Sequence, residues 1–314
     1  MSTYLSKPSN ITITDISIQD LYNYLYWDHR IYDIRSNEDY IRSHICRAHN
    51  MYPLPIITVD AIADIDADID KNYGRAEQPS EVIIYANKKA HYDDYQLQLE
   101  ILNSLLSYLT SSMNLSKKSL KQIHILTDGY ENFQSTFPFL CSDNIYYSEC
   151  SQLIWPSYIM PNLYLGSEMC RNETVISMLK ITHIMSFSDY PEKKIQSTNT
   201  KTLHWQVSDS LSAKLLPVFS PAVEWISKAI DDDKGIVLVH CDQGVSRSAS
   251  VVIAYLLSSN SNFSTVDMTL NHVKSKRSVI RPNASFLQQL EEYSSTIGIK
   301  NESMKPQKED FAVC

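Results

Sequence analysis

The apolar positions in the second half of the chain alternate between short continuous runs and stretches in which they recur every three or four residues, which predicts strands interleaved with helices. A helical pattern over residues 173–180 runs into an apolar strand over 182–187, and a second strand covers 202–207. Val223, Ile226 and Ile230 share one face of a helix over 219–230, with Pro221 in its first turn, where a missing N–H is harmless. Asp231-Asp232-Asp233-Lys234-Gly235 is a turn, and Ile236-Val237-Leu238-Val239 has the unbroken apolar character of a central strand. Residues 248–257 are apolar nearly all round, as in a buried helix. Two more helices follow, over 265–276 and 284–295, with Arg281-Pro282-Asn283 as the break and N-cap between them.

The first half repeats the alternation with different punctuation. Residues 30–34, 82–85 and 123–126 read as strands and 95–109 as an amphipathic helix, so this is a second α/β unit. Residues 142–153 mix polar and acidic types without a period and are expected to link the units; 299–314 is expected to be a flexible tail. The fold class is therefore α/β in two domains, 15–141 and 154–298, the second with a central, mostly parallel sheet flanked by helices. The acidic run 60–70 reads as a solvated loop or helix face.

Composition supports two ordinary cores: 314 residues suit two domains of about 150 each, and 43% hydrophobic with 20% charged residues is globular. No apolar run approaches a membrane span, and Met1-Ser2-Thr3-Tyr4 offers neither an apolar signal segment nor a myristoylation glycine, so no membrane association is expected. A net charge of −8 argues against nucleic acid as a partner. Six cysteines, Cys46, Cys141, Cys150, Cys170, Cys241 and Cys314, form no C-x-x-C pair, which predicts a reducing compartment (cytoplasm or nucleus) and no zinc site; the last residue being Cys314 leaves no prenylation box.

The chemistry concentrates in His240-Cys241-Asp242-Gln243-Gly244-Val245-Ser246-Arg247-Ser248, between the buried strand and the buried helix. A loop that ends a parallel strand and opens a helix aims several backbone N–H groups, and the positive end of the helix dipole, at one point. Residues 242–247 would thus cradle a phosphate, with Gly244 permitting the turn and the Arg247 fork meeting two oxygens. A cysteine in such a cradle is held as thiolate, the nucleophilic form, so Cys241 would attack a bound phosphate in line and give a phosphocysteine without metal or cofactor. The leaving oxygen needs a proton from a separate loop, and Asp209, just past the strand 202–207, would emerge at the same carboxyl edge of the sheet. Ser248 can hydrogen-bond the sulfur as it leaves the phosphoenzyme. His240 is read as structural, fixing the loop and favouring the thiolate.

This pattern resembles the H-C-x5-R signature of the protein tyrosine phosphatase superfamily, and its surroundings resemble the dual-specificity branch. Pro161-Asn162-Leu163-Tyr164-Leu165-Gly166 is similar to that family's opening segment, and Arg281-Pro282-Asn283 with Phe286-Leu287-Gln288-Gln289-Leu290 to its closing one. The resemblance implies a nucleophile at Cys241, a phosphate-binding Arg247, a hydroxyl at Ser248, a general acid at Asp209, and action on phosphotyrosine and phosphoserine or phosphothreonine of proteins. The first half resembles a rhodanese-like domain through Asp33-Ile34-Arg35, Tyr40, His44-Ile45, Ala48 and Asn50, and through Gly129, Phe133, Pro138 and Leu140. Where an active sulfurtransferase places its cysteine, this chain has Ala86-Asn87-Lys88-Lys89, so the domain is expected to be non-catalytic. The combined layout resembles the MAP kinase phosphatases, whose first domain docks a protein kinase through clustered arginines; residues 47–63 here hold Arg47 and then turn acidic.

Plainer readings compete with several of these. A turn aspartate is common, and Asp189 also lies on a loop, so it rivals Asp209 as the acid. His44 is read as packing within the first domain, and the other five cysteines as ordinary thiols. Asp242, Gln243 and Val245 stand where phosphoinositide phosphatases tend to carry lysines, which disfavours a highly anionic lipid, and the acidic balance disfavours an RNA 5′-triphosphate. Two functions remain open: a protein phosphatase, and an adaptor that captures phosphoproteins with little turnover.

Overall fold

The computed structural model describes residues 11–25, 30–51, 81–88, 92–112, 121–143, 153–191, 200–259 and 262–298. The acidic run 60–70, most of the linker and the tail lie outside them. The chain divides into two compact units, Met1–Leu153 and Ile154–Cys314.

In the first unit β1 (Thr12–Ile16), β2 (Arg30–Asp33), β4 (Ala48–Asn50), β5 (Glu81–Tyr85) and β6 (Gln122–Leu126) form a parallel sheet in the order β1-β6-β5-β2-β4. β1 begins ahead of the domain start expected at 15, because its alternation of exposed threonines with apolar residues is too short to stand out. The short helices α1 (Ile18–Tyr24) and α2 (Asn37–Arg42) are capped by Ser17 and Ser36. A two-residue strand β3 (His44–Ile45) pairs antiparallel with β7 (Cys141–Ser142). The helix α3 (Tyr92–Ser112) buries Ile101, Leu105 and Leu109 at four-residue spacing against Val82, Ile84 and Ile123, and α4 (Gly129–Thr136) follows β6. Asp33 and Arg35 form a buried ion pair of 2.6 Å, with the Tyr85 hydroxyl donating to Asp33 and the guanidinium over the Tyr130 ring. Burial alone would lower the Arg35 pKa, but the Asp33 hydrogen bond and the charges of Asp33, Tyr85 and Tyr130 together outweigh it and raise it. His44 is packed as expected, stacked on Tyr40.

The second unit opens with a hairpin. β8 (Ser157–Met160) and β9 (Leu163–Ser167) are antiparallel strands around Asn162, which turns the chain at φ 67°. The sheet order is β11-β10-β12-β9-β8, with β10 (His183–Ser188), β11 (Lys201–Gln206) and β12 (Val237–Cys241) parallel to β9. Around it lie α5 (Glu173–Met178), α6 (Leu216–Ser227), α7 (Arg247–Ser259), α8 (Val266–Lys276) and α9 (Ala284–Thr296). α6 departs from the expected 219–230: it starts earlier with Pro217 in its first turn, holds Pro221 inside, and passes into a π-helical turn, Lys228–Asp232, that absorbs Ile230. α7 is buried from Arg247 to Leu257 because α6, α8 and α9 all pack on it, which is why its sequence shows no polar face. Val237, Val239, Leu163, Leu165, Met185 and Phe187 of the central strands fill the core beneath it with Val251, Val252 and Ile253.

Candidate active site

β12 delivers the site. It is buried along its whole length between β10 and β9, and its last residue, Cys241, pairs in register with Phe187 and Ser167 where those strands also end. The chain then turns through residues 242–246 and enters α7 at Arg247, so the thiol lies under the first turn of a 13-residue helix. Gly244 adopts φ 68°, and a β-carbon there would collide with the backbone carbonyl of Gly166; both the turn and the close approach require glycine.

Cys241 is 2% exposed and its sulfur accepts two hydrogen bonds, from the Gly244 N–H at 3.2 Å and the Ser248 hydroxyl at 3.1 Å. The loop's shape is fixed from behind by a residue that sequence patterns did not single out. Arg277, 2% exposed at the end of α8, donates through Nε to the Gly244 carbonyl at 2.9 Å and through Nη2 to the Gln243 carbonyl at 3.3 Å. Pulling these carbonyls backward turns the adjoining amides toward the cavity.

Arg247 is held on three sides. Nη2 donates to Asp242 at 2.7 Å, Nη1 to the Val207 carbonyl at 2.9 Å, and Asp189 lies 3.5 Å from Nη1. Burial by itself lowers its pKa, yet the bond to Asp242 and the charges of Cys241, Asp242 and Asp189 raise it overall. Its Nε is buried and has no hydrogen-bond partner among the described residues.

Asp209 sits on the loop after β11. Its Oδ1 accepts from the Ser246 hydroxyl and from Asn283 Nδ2, both at 2.8 Å, and neither bond engages Oδ2. Asp209, Cys241, Asp242, Gln243, Val245 and Ser246 line one open cavity of about 530 Å³, to which Arg247 and residues 281–284 also contribute. Asp189 does not line it; its carboxylate serves Arg247 instead. His240 is 1% exposed, 3.4 Å from Glu168, and neither ring nitrogen makes a hydrogen bond. Burial, helped by Arg171, pushes its pKa down to about 4. The ring is therefore neutral near pH 7, so the expected help to the thiolate does not come from an imidazolium charge. Among the described residues no cluster could hold a metal ion.

The site thus sets a cysteine at a strand end, beneath a helix N-terminus and beside a buried arginine. The C-terminal unit is similar to a dual specificity phosphatase catalytic domain and the N-terminal unit to a rhodanese-like domain. Residues 163–296 match the family model for the dual specificity phosphatase catalytic domain, and residues 17–136 match the rhodanese-like domain. Human dual specificity protein phosphatase 16 is 33% identical over 203 residues, 60% of this chain and 30% of that protein. Human dual specificity protein phosphatase 8 is 29% identical over 248 residues, 75% of this chain and 38% of that protein. A probable rhodanese domain-containing dual specificity protein phosphatase of Dictyostelium discoideum is 30% identical over 202 residues, 62% of this chain and 41% of that protein. The chain thus spans well under half the length of these relatives.

Proposed function

We propose that the chain is a protein phosphatase that removes phosphate from phosphotyrosine and from phosphoserine or phosphothreonine through a phosphocysteine. The observation that carries this reading is the sulfur of Cys241 at the floor of an open cavity, accepting two hydrogen bonds beside an arginine whose Nε is unpaired. The substrate phosphate docks on the amides of residues 242–247 and on Arg247. The Cys241 thiolate attacks phosphorus, the ester P–O bond breaks, and Asp209 gives its proton to the leaving oxygen. Water then attacks the phosphocysteine while Asp209 takes a proton back, and the S–P bond breaks with Ser248 donating to the departing sulfur. Ester and water become alcohol and inorganic phosphate, with no change in redox state. The Ser248 hydroxyl bonded to the Cys241 sulfur, and Asp209 lining the same cavity as Cys241 and Arg247, support turnover over simple capture.

The first unit supports a recognition role rather than sulfur transfer. After β5 the chain runs through Ala86, Asn87 and Lys88, and Lys88 fills the space beside Gly129 while its N–H donates to Glu131. No thiol stands at that turn. The partner would be a phosphorylated protein, with a docked protein kinase as one form; most of the stretch 47–63 that would carry such docking lies outside the described residues. A nucleophile that must stay reduced suits the cytoplasm or nucleus.

Release of phosphate from an aryl phosphate and from phosphopeptides tests the reading. Cys241→Ser should abolish it, and Asp209→Ala should retain phosphoproteins in a pull-down that a Cys241→Ser/Arg247→Ala double variant does not. Phosphate release that survives Cys241→Ser sinks the mechanism.

A further inference from the structure

One carboxylate belongs to two cavities. Asp242 lines the catalytic cavity, and it also lines a smaller, adjoining one of about 60 Å³ whose walls include Glu168, Arg171, Ser186 and His240. Its backbone is anchored, because its carbonyl accepts from the Glu168 N–H at 3.2 Å. Its side chain is 42% exposed and lies against Arg247, accepting from Nη2 at 2.7 Å. The smaller cavity offers a second cation: the Arg171 side chain is 9% exposed and 3.3 Å from Glu168. Turning the Asp242 side chain from one cavity to the other would move its carboxylate from Arg247 toward Arg171 while the backbone of the loop stays in place.

Arg247 gives that turn its consequence. A phosphate gripped by both arms of a guanidinium takes Nη2 along either forked edge, with Nε or with Nη1. Nη1 donates to the Val207 carbonyl at 2.9 Å with Asp189 3.5 Å away, so these two groups hold the guanidinium in place whether or not Asp242 is on it. Asp242 is instead the anion at the nitrogen the phosphate needs, and two anions on one guanidinium repel each other. We propose that Asp242 is a gate on Arg247: its carboxylate occupies Nη2 in the resting enzyme, turns into the smaller cavity toward Arg171 when the substrate's phosphate docks, and returns to help expel inorganic phosphate after hydrolysis. This rests on the phosphatase reading above and adds to it a device that limits how tightly phosphate is held.

The test uses the full chain and measures inorganic phosphate in two ways, as a competitive inhibitor of aryl phosphate hydrolysis and by calorimetric titration, which needs no turnover. Asp242→Asn keeps the shape and removes the charge; Asp242→Ala removes the group. Both should bind phosphate about tenfold more tightly than the unsubstituted chain, the value of one charge-assisted contact, and KM for the aryl phosphate should fall in parallel. Arg171→Met removes the cation of the second position. It should weaken phosphate binding about threefold on its own and have no effect when combined with Asp242→Ala, and Arg171→Lys should restore the affinity. Phosphate affinity that is unchanged or weaker in both Asp242 variants makes the carboxylate a brace for Arg247 and overturns the gate. An Arg171→Met effect of equal size with and without Asp242 overturns the second position. Should Arg171→Met fail to fold, the Asp242 variants, altered at an exposed side chain, decide the gate by themselves. If the unsubstituted chain hydrolyses no aryl phosphate, the phosphatase reading falls, while the calorimetric comparison still decides whether Asp242 competes for Arg247.

Discussion

At the residue scale, the groups around Cys241 divide into those that touch a substrate and those that hold the loop. Arg277 is the clearest of the second kind, because it does not line the cavity and its guanidinium donates to the carbonyls of Gln243 and Gly244 and to the Ser157 hydroxyl. Arg277→Met keeps the apolar stem but leaves both carbonyls unpaired. One charge-assisted bond of this sort contributes about 1.5–3 kcal/mol, and a loss of that size in loop positioning should lower aryl phosphate kcat/KM about 10–100-fold with vanadate binding weakened in parallel. An unchanged affinity for vanadate would remove Arg277 from the loop's support. His240 gives a pH-dependent test. Glu168, Arg171, His204 and Asp242 face the ring, and its pKa drops from 6.5 to about 4 on folding. Below pH 6.5 the unfolded chain takes up a proton that the folded chain refuses, so stability is full above that pH and declines as pH falls toward 4, by up to about 3 kcal/mol. Denaturant titrations of the C-terminal unit should show this slope, and His240→Gln should flatten it; parallel slopes would assign the decline to other groups. Cys241, Arg247 and Ser248 were legible because one short segment carries all three, whereas Arg277 announces itself only when the loop's carbonyls are in view.

At the scale of elements, the strands and helices built on continuous or strictly periodic apolar residues were readable: β10, β12, α7, α8 and α9 lie within a residue or two of their expected bounds. Those that depend on partners were not. β1 and the β8–β9 hairpin are stabilised by neighbours distant in sequence, and the early start of α6 is set by Gln289, whose side-chain oxygen accepts from the N–H groups of Leu215 and Leu216 at 2.7 and 2.8 Å. The same dependence makes Asn283 informative. Its Oδ1 caps α9 by accepting from the Phe286 N–H, and its Nδ2 holds Asp209. Asn283→Ala should therefore cost about 1 kcal/mol of stability for the cap. It should also slow hydrolysis of phosphoserine peptides, whose leaving oxygen needs the proton, more than that of an activated aryl phosphate, whose leaving group does not. Equal losses on both substrates would show that Asn283 acts through stability alone.

At the scale of the whole chain, the described residues that line the cavity fall between Asp209 and Ala284, inside the second unit. The recognition role proposed for the N-terminal unit makes a separable prediction. A domain that only recognises changes the local concentration of substrate and not the chemical step. Residues 154–298 produced alone should hydrolyse a small aryl phosphate within about twofold of the full chain's kcat/KM, since that substrate is too small to engage a second domain. Toward a phosphoprotein bound through the first unit, the same fragment should lose on the order of 100-fold, in the range by which linked sites raise apparent affinity, and the loss should appear in KM with kcat preserved. A fragment that folds, by its far-UV signature and melting transition, yet loses both activities alike would mean that the first unit shapes the catalytic loop itself. Equal retention of both would mean that it recognises something other than the substrate.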